Sequence, residues 1–555
     1  MYPSSLWKKI ALLSVTGAAC TLLVTAAAKP DDLFFLIKKN FAIFSEVYAE
    51  VNELYVDPVD PQKMMRTGID AMLETLDPYT VVIDEHQNTE MEIMTRGSYG
   101  GVGLEVDHRN GQIIVIAPTE GGAAAKKGIR PGDIVQKVNG IDIENLSPDE
   151  VERLMVGEAG SQVTITISRL GFDKPLDFNL IREKVEVKNV SYTGFTGPDS
   201  LYAYVSLDRF GQGAAGEVRE ALSSNVSEKT KGIILDLRNN PGGLLHEAVD
   251  LVGLFVAPNT EVARTKGRNE ENNHVYRTRA AALFPAIPVV VLQNRGSASA
   301  SEIVAGALQD LDRAVIAGER SFGKGLVQIV RNLSFNLALK VTTAKYYIPS
   351  GRSIQAVDYT HKGRKAARVV PDSLRKKYAT KNGRVVYDGA GVEPDFKAPE
   401  RDRSYVQTAL LRESHYIFFI NKILSEQKST VPVLLSDAEL YAQFKSFLSQ
   451  SKRAIEFESE SELAYLSEIL AKEGFTGEPV AQLKALRQTI EKNRFTVLDN
   501  ERDLIVRELR IEMAAQKEGQ RARIKLQLVH DELVREAVHL LADSERYKNL
   551  LAPAK

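Results

Sequence analysis

Gly232-Ile233-Ile234-Leu235-Asp236-Leu237-Arg238-Asn239-Asn240-Pro241-Gly242-Gly243 is the stretch on which the fold turns. Its apolar run shows little polar alternation, which is how a strand covered on both faces reads. The Asn, Pro and Gly that stop it lead into an apolar helical run from Leu244 to Phe255. Strand, loop and helix in that order belong to an α/β core, and the neighbouring sequence repeats the unit. Strand-like runs at Leu201 to Leu207, Ile287 to Leu292, Ala314 to Ala317 and Leu339 to Tyr347 alternate with helical runs at Gly213 to Ser223 and Ala300 to Leu311.

Three loops of this core carry chemistry. The glycines after Pro241 free backbone amides at a strand-to-helix turn, where they can donate to an anion as an oxyanion hole requires. The second loop, Asn294-Arg295-Gly296-Ser297-Ala298-Ser299-Ala300-Ser301-Glu302, sets small residues and a serine at a helix amino terminus. Ser299 there presents a hydroxyl to a substrate or, with Glu302, forms a Ser-x-x-Glu capping box, and local chemistry does not choose among the loop's three serines. The third loop, Ser321-Phe322-Gly323-Lys324-Gly325-Leu326-Val327-Gln328, holds a lysine between glycines beside apolar residues. Desolvation makes such an amine a general base, whereas in an open turn it is a solvated cation. Gln328, four positions on, is placed to hold the amine.

Upstream, Tyr99-Gly100-Gly101-Val102-Gly103-Leu104-Glu105-Val106 puts glycines ahead of a strand, and a second strand, Gln112 to Ala117, follows the Asn110-Gly111 turn. A turn of this kind offers amides to a carboxylate, and the strand edge beside it can pair with an extended peptide. With Gly128-Ile129-Arg130-Pro131-Gly132-Asp133-Ile134-Val135, the Val138-Asn139-Gly140 hairpin, a helix over 148–155 and a strand over 163–168, the segment resembles a PDZ domain.

The whole set resembles the C-terminal processing peptidases, or tail-specific proteases, a Ser/Lys family with an inserted PDZ domain. Leu76-Asp77-Pro78, the PDZ run, Arg238 to Gly243, Gly296 to Glu302, Gly323 to Gln328, Tyr346-Tyr347-x-Pro-x-Gly-Arg and Gly391-Val392-Glu393-Pro394-Asp395 all contribute. The resemblance implies a multidomain α/β protein with a crotonase-like core. It also implies Ser299 as nucleophile, Lys324 as base and Gln328 as its orienting partner; the family's usual nucleophile-to-lysine interval singles out Ser299. The amides of Ala300 and of Gly242 or Gly243 would form the oxyanion hole, and Gly100, Gly101, Val102, Gly103 and Leu104 the peptide-binding loop. Acyl transfer by such a dyad uses no metal and no cofactor. Two departures stand out: Val156 where many relatives carry arginine, and a basic insertion, His361 to Arg384, whose Arg375-Lys376-Lys377 reads as solvated.

Expected domains are a signal peptide or anchor (1–28), a helical arm (29–96), the PDZ domain (97–187), the peptidase core (188–400, with the insertion at about 356–388) and a helical carboxy-terminal domain (401–555). In the arm, Phe41, Phe44, Val47, Val51 and Tyr55 recur at helical steps, predicting packing onto the next domain or a homodimer contact. Lys8 and Lys9 before the apolar run Ile10 to Ala28 and the Ala26-Ala27-Ala28 ending form an export signal; it fits cleavage or membrane anchoring equally, and Cys20 sits mid-run rather than at a lipidation site. Both readings put the rest of the chain on the periplasmic side of a bacterial cell envelope. The carboxy-terminal helices are expected to support the protease, assemble it or receive an adaptor protein.

Composition narrows the field. Apolar residues at 44% and charged residues at 26% fit a folded globular chain, and a net charge of −2 offers nucleic acid no cationic field. The single cysteine excludes an intrachain disulfide and a cysteine-rich metal site. His246 and His274 lie in no metal-ligand spacing and read as surface or packing residues. Protein chains with accessible C-terminal tails are the implied substrates. A PDZ scaffold without activity and an acyl-CoA enzyme on the same core are the rival readings: the first has no use for a Ser/Lys/Gln set, the second none for a PDZ domain.

Overall fold

The computed structural model describes residues 33–84, 97–109, 111–359, 368–398, 404–426, 435–451, 455 and 457–553. The export segment with Cys20 and the first part of the basic insertion lie outside them. Among the described residues no helix is long and apolar enough to cross a membrane.

The centre is a six-stranded sheet in the order 190–196, 202–207, 232–236, 289–293, 315–318 and 396–397, antiparallel at its first pair and parallel thereafter. The middles of its inner strands, 203–205, 233–235, 289–292 and 315–317, are apolar because both faces are covered there. On one face Ala203, Val205, Ile233, Leu235, Val289 and Val291 pack under the helices Ala214–Asn225, Leu245–Val252 and Ala300–Asp310. On the other, Tyr204, Ile234, Val290, Leu292 and Val315 pack against Val534, Val538, Leu540 and Leu541. This second layer comes from the far end of the chain, the helices Glu532–Ala542 and Ser544–Leu550. The Tyr547 hydroxyl completes it, donating to the Val289 carbonyl and accepting from the Val289 N–H, each at 3.0 Å.

Beside this core lies an antiparallel sheet in which the long strand Ala338–Tyr347 pairs with Leu326–Asn332, Glu261–Gly267 and Val81–Ile83. The last pairing corrects the reading of residues 29–96 as a purely helical arm. Helices Leu33–Leu54 and Pro61–Leu73 form as the periodicity predicts, with Asp60 capping the second, but Val81-Val82-Ile83 is β-branched and enters the sheet. The first helix buries none of its side chains, so the arm is attached through its second helix and this strand.

The PDZ unit is a sheet in the order 104–109, 112–118, 134–138, 162–168 and 176–181, with the capped helix Pro148–Met155 over a core of Ile113, Val115, Val138, Val151, Ile165 and Ile167. It is held to the carboxy-terminal helices: Asn421 Nδ2 donates to the Pro131 carbonyl at 2.7 Å, and Arg109 Nη1 to the Leu411 carbonyl at 2.9 Å and Ser414 Oγ at 3.2 Å. Those helices bury a core of their own around Phe419, Ile420, Phe444 and Leu509. In the insertion, Lys376 and Lys377 are exposed as expected, but the Arg375 side chain is largely covered and pairs with Asp372 at 2.5 Å, and Arg384 is buried between Asp312 at 2.6 Å and Asp395 at 2.5 Å.

Candidate active site

Ser299 stands immediately before the Ala300–Asp310 helix with φ 56° and ψ −113°. That region is uncommon for a residue with a Cβ and costs about 1–3 kcal/mol, so the surrounding structure must impose it. The imposing group is Glu302. It is fully buried, and its Oε2 accepts from the Ser299 N–H at 2.8 Å, the carboxylate half of the capping box read from the sequence. The same oxygen accepts from the Lys324 N–H at 2.9 Å, while Oε1 accepts from the Gly323 N–H and the Ser321 hydroxyl, both at 2.6 Å. One carboxylate therefore fastens the serine loop to the lysine loop.

A second clamp comes from the antiparallel sheet. The buried Tyr346 hydroxyl lies against the Lys324 carbonyl and 3.1 Å from the Ser299 carbonyl. The main chains of residues 299 and 324 thus meet through Glu302 and again through Tyr346. Neither clamp was legible in the sequence, where Glu302 served only as a cap and Tyr346 as part of a motif.

Lys324 sits in the loop ahead of the Leu326–Asn332 strand, its Nζ 4.6 Å from the centroid of the Tyr79 ring. Burial, reinforced by the Lys340 ammonium, pushes this amine down to about 8, against the opposing pull of Glu302 and Asp77. Gln328 lies in the strand beyond a bulge, paired with Thr342, and its Nε2 donates to Thr342 Oγ1 at 3.2 Å. The helical or strand spacing expected between residues 324 and 328 does not apply, because the lysine precedes the strand.

Of the two candidate glycines, Gly242 is already engaged: its N–H donates to Asn240 Oδ1 at 2.9 Å. Gly242 nonetheless lies against the serine, since a Cβ there would meet Ser299 Cβ and Ala300 N at 2.8 Å. Gly243, at φ 147°, bridges to Phe210 beside it. Arg238 in the same loop pairs with Asp236 at 2.5 Å and with Asp531, from the carboxy-terminal layer, at 2.7 Å. His246 and His274 stand apart from this cluster. His246 is more than half exposed on the helix after the glycine loop, beside Glu247.

In the PDZ unit, Gly100 and Gly101 are strand residues paired with Lys184 and Glu183, so the open turn is narrower than the glycines suggested. Gly100 is irreplaceable there, because a Cβ would fall 2.1 Å from the Gly157 carbonyl oxygen. Val102 and Gly103 form the turn, their carbonyls accepting from Ala124 and Thr119, and Leu104 opens the edge strand of the sheet.

Sequence comparison agrees with this architecture. The description "Peptidase family S41" matches residues 201–362, "PDZ domain" residues 90–168, and "Probable PDZ-protease, C-terminal helical domain" residues 406–541. A "Carboxy-terminal-processing protease" of Bartonella bacilliformis is 39% identical over 58% of this chain and 74% of its own length. A "Probable CtpA-like serine protease" of Staphylococcus aureus is 34% identical over 60% of this chain and 68% of its own. Among solved structures, the photosystem II D1 C-terminal processing protease aligns at 28% identity with a TM-score of 0.34, covering 64% of this chain and 92% of that one. By this kinship the chain belongs to the carboxy-terminal-processing proteases, PDZ-bearing serine peptidases of family S41.

Proposed function

We propose that this peptidase is an exported endopeptidase that cuts protein chains by acyl transfer, with Ser299 as nucleophile and Lys324 as general base. The observation that carries the reading is the pair of N–H groups, from Ser299 and Lys324, bonded to the same Glu302 oxygen beside an amine that burial pushes down to about 8. Neutral Lys324 takes the Ser299 proton as the oxygen attacks the substrate carbonyl. It returns the proton to the leaving amine, and then activates the water that hydrolyses the acyl-enzyme. Ala300 and Gly243 are the amides assigned to the oxyanion, Gly242 being committed to Asn240. With Gln328 Nε2 donating to Thr342, its side-chain oxygen is the acceptor assigned to the lysine amine.

Substrate tails are read by the PDZ unit, the amides of Val102, Gly103 and Leu104 taking the terminal carboxylate and the 104–109 edge taking the peptide as an added strand. The amino-terminal apolar run supports a location on the periplasmic face of a bacterial envelope, anchored if it is not cleaved. The bare arm helix and the carboxy-terminal helices are the surfaces assigned to a homodimer and an adaptor.

Incubating wild-type, Ser299→Ala and Lys324→Ala protein with an unfolded substrate tests the central claim: only wild type cleaves, and equal cleavage by all three ends it. Expressing Ser299→Ala in cells should trap the natural substrates. Peptides with an amidated terminus should bind the PDZ unit more weakly than those with a free carboxylate, and equal affinity would remove that assignment.

A further inference from the structure

The Lys324 amine owes its dry surroundings in part to a residue from outside the peptidase core. Tyr79 belongs to the arm, and Asp77 sets it in place: Oδ1 accepts from the Tyr79 and Thr80 N–H groups, both at 2.8 Å, and Oδ2 from the Thr80 hydroxyl at 3.1 Å. Asp77 and Thr80 are themselves buried. Thr80 is fastened to the site, its hydroxyl oxygen accepting from the Thr342 N–H at 3.2 Å, and Thr342 is the residue that accepts from Gln328. Val81–Ile83 then locks the segment into the sheet opposite Ala338, Leu339 and Lys340. Against the Tyr79 ring stands the edge of Tyr359, at 6.3 Å and 89°.

We propose that Tyr79 is a positioning residue for the general base: its ring is the wall that keeps the Lys324 amine dry and aimed, so that the amino-terminal arm completes the active site. The inference rests on the Ser/Lys reading above and adds to it a residue that neither the family motifs nor the comparisons assign.

An aromatic face acts on an amine in two opposed ways. Its quadrupole attracts the ammonium and favours the protonated form, while its bulk displaces water and favours the neutral one. Burial is the largest of the influences that lower Lys324, and the proposal assigns part of that burial to the ring. The charged groups facing the amine are Lys340 from the sheet strand, which works with burial, and Glu302 from the helix and Asp77 from the arm, which work against it. The Tyr79 phenol supplies no charge: burial, then the Tyr359 hydroxyl, hold it well above its ordinary value. What the ring contributes is its bulk.

The test is kcat/KM of the full chain on fluorescently labelled, unfolded casein between about pH 6 and about pH 10, for wild type, Tyr79→Phe, Tyr79→Ala and Lys324→Ala. Tyr79→Phe should keep the wild-type profile. Tyr79→Ala admits water to the amine, so the rise in activity moves to higher pH. Each unit of movement lowers kcat/KM at neutral pH about tenfold, and activity returns at alkaline pH. If Tyr79→Ala does not fold, Tyr79→Asn, whose smaller polar side chain likewise lets water reach the amine, takes its place with the same expected direction. A uniform loss at every pH, or an unmoved profile, overturns the proposal. Residual activity in Lys324→Ala would instead overturn the parent reading, so the two failures are distinguishable.

Discussion

Replacing Glu302 with glutamine changes the chemistry of one atom and little of its shape, and the consequence can be worked out bond by bond. All four neighbours of the carboxylate donate to it: the N–H groups of Ser299, Gly323 and Lys324 and the hydroxyl of Ser321. The amide nitrogen of glutamine must therefore face at least one donor. Its better orientation is towards Ser321, whose oxygen can accept, but Gly323 then loses its partner in the interior. An unpaired buried donor costs about 1–3 kcal/mol, and the surviving bonds lose their charge assistance. Some of this is returned, because burial already disfavours the Glu302 carboxylate and raises its pKa. A net loss of about 1–3 kcal/mol of stability is expected, visible as a lower unfolding temperature by circular dichroism. The loss of activity should be larger than stability explains. A displacement of about 1 Å between the two loops costs on the order of a hundredfold in rate. There is also a signature that general loosening does not produce: Glu302 opposes deprotonation of Lys324, so without its charge the alkaline rise of kcat/KM should move to lower pH. Wild-type activity with an unmoved profile would refute the assignment of Glu302 as the link between the loops.

In wild type, kcat/KM should rise about tenfold per pH unit below the bend and level off above about pH 8, since only the neutral amine is a base; a bend near about 6.5 would indicate an imidazole instead. Lys340→Gln removes a cation that favours neutral Lys324, so the bend should move up, the opposite of Glu302→Gln, and a shared direction for both would contradict the electrostatic account. Gly242→Ala places a Cβ 2.7 Å from the Ala298 carbonyl oxygen at φ 98°, and should cut turnover at least about a hundredfold; ordinary turnover would show that the glycine loop does not border the nucleophile. The double change Arg109→Ala with Asn421→Ala should free the PDZ unit from the helices, speeding hydrogen exchange at 128–133 without lowering exchange protection in the 289–293 strand; unchanged exchange would mean that other contacts hold it.

The core was legible because its signals are local. The strand 232–236 and the helix after Ser299 announce themselves by apolar runs and by the small residues that end or begin them, and the structure places them within a residue or two of the reading. What remained hidden is what depends on residues far apart in the chain. Glu302 looks like a cap because a cap is all that its four-residue neighbourhood can show; its second role needs Gly323 and Lys324 folded onto it. The Val81–Ile83 strand lay inside an otherwise helical pattern and is explained only by its partner, 338–340. The commitment of the Gly242 amide to Asn240 is a turn geometry that composition does not encode. Likewise, the carboxy-terminal residues read as a separate helical appendage because nothing near them names the sheet they cover.

That covering layer has a consequence for timing. A ribosome releases residues 201–318 long before residues 532–550, so the hydrophobic sheet is assembled with one side bare until Val534, Val538, Leu541 and Tyr547 emerge to close it. The Arg238 guanidinium beside the glycine loop likewise waits for Asp531. A nascent or prematurely terminated chain would then carry the nucleophile, the lysine and their two clamps on a sheet with one apolar face still open to water.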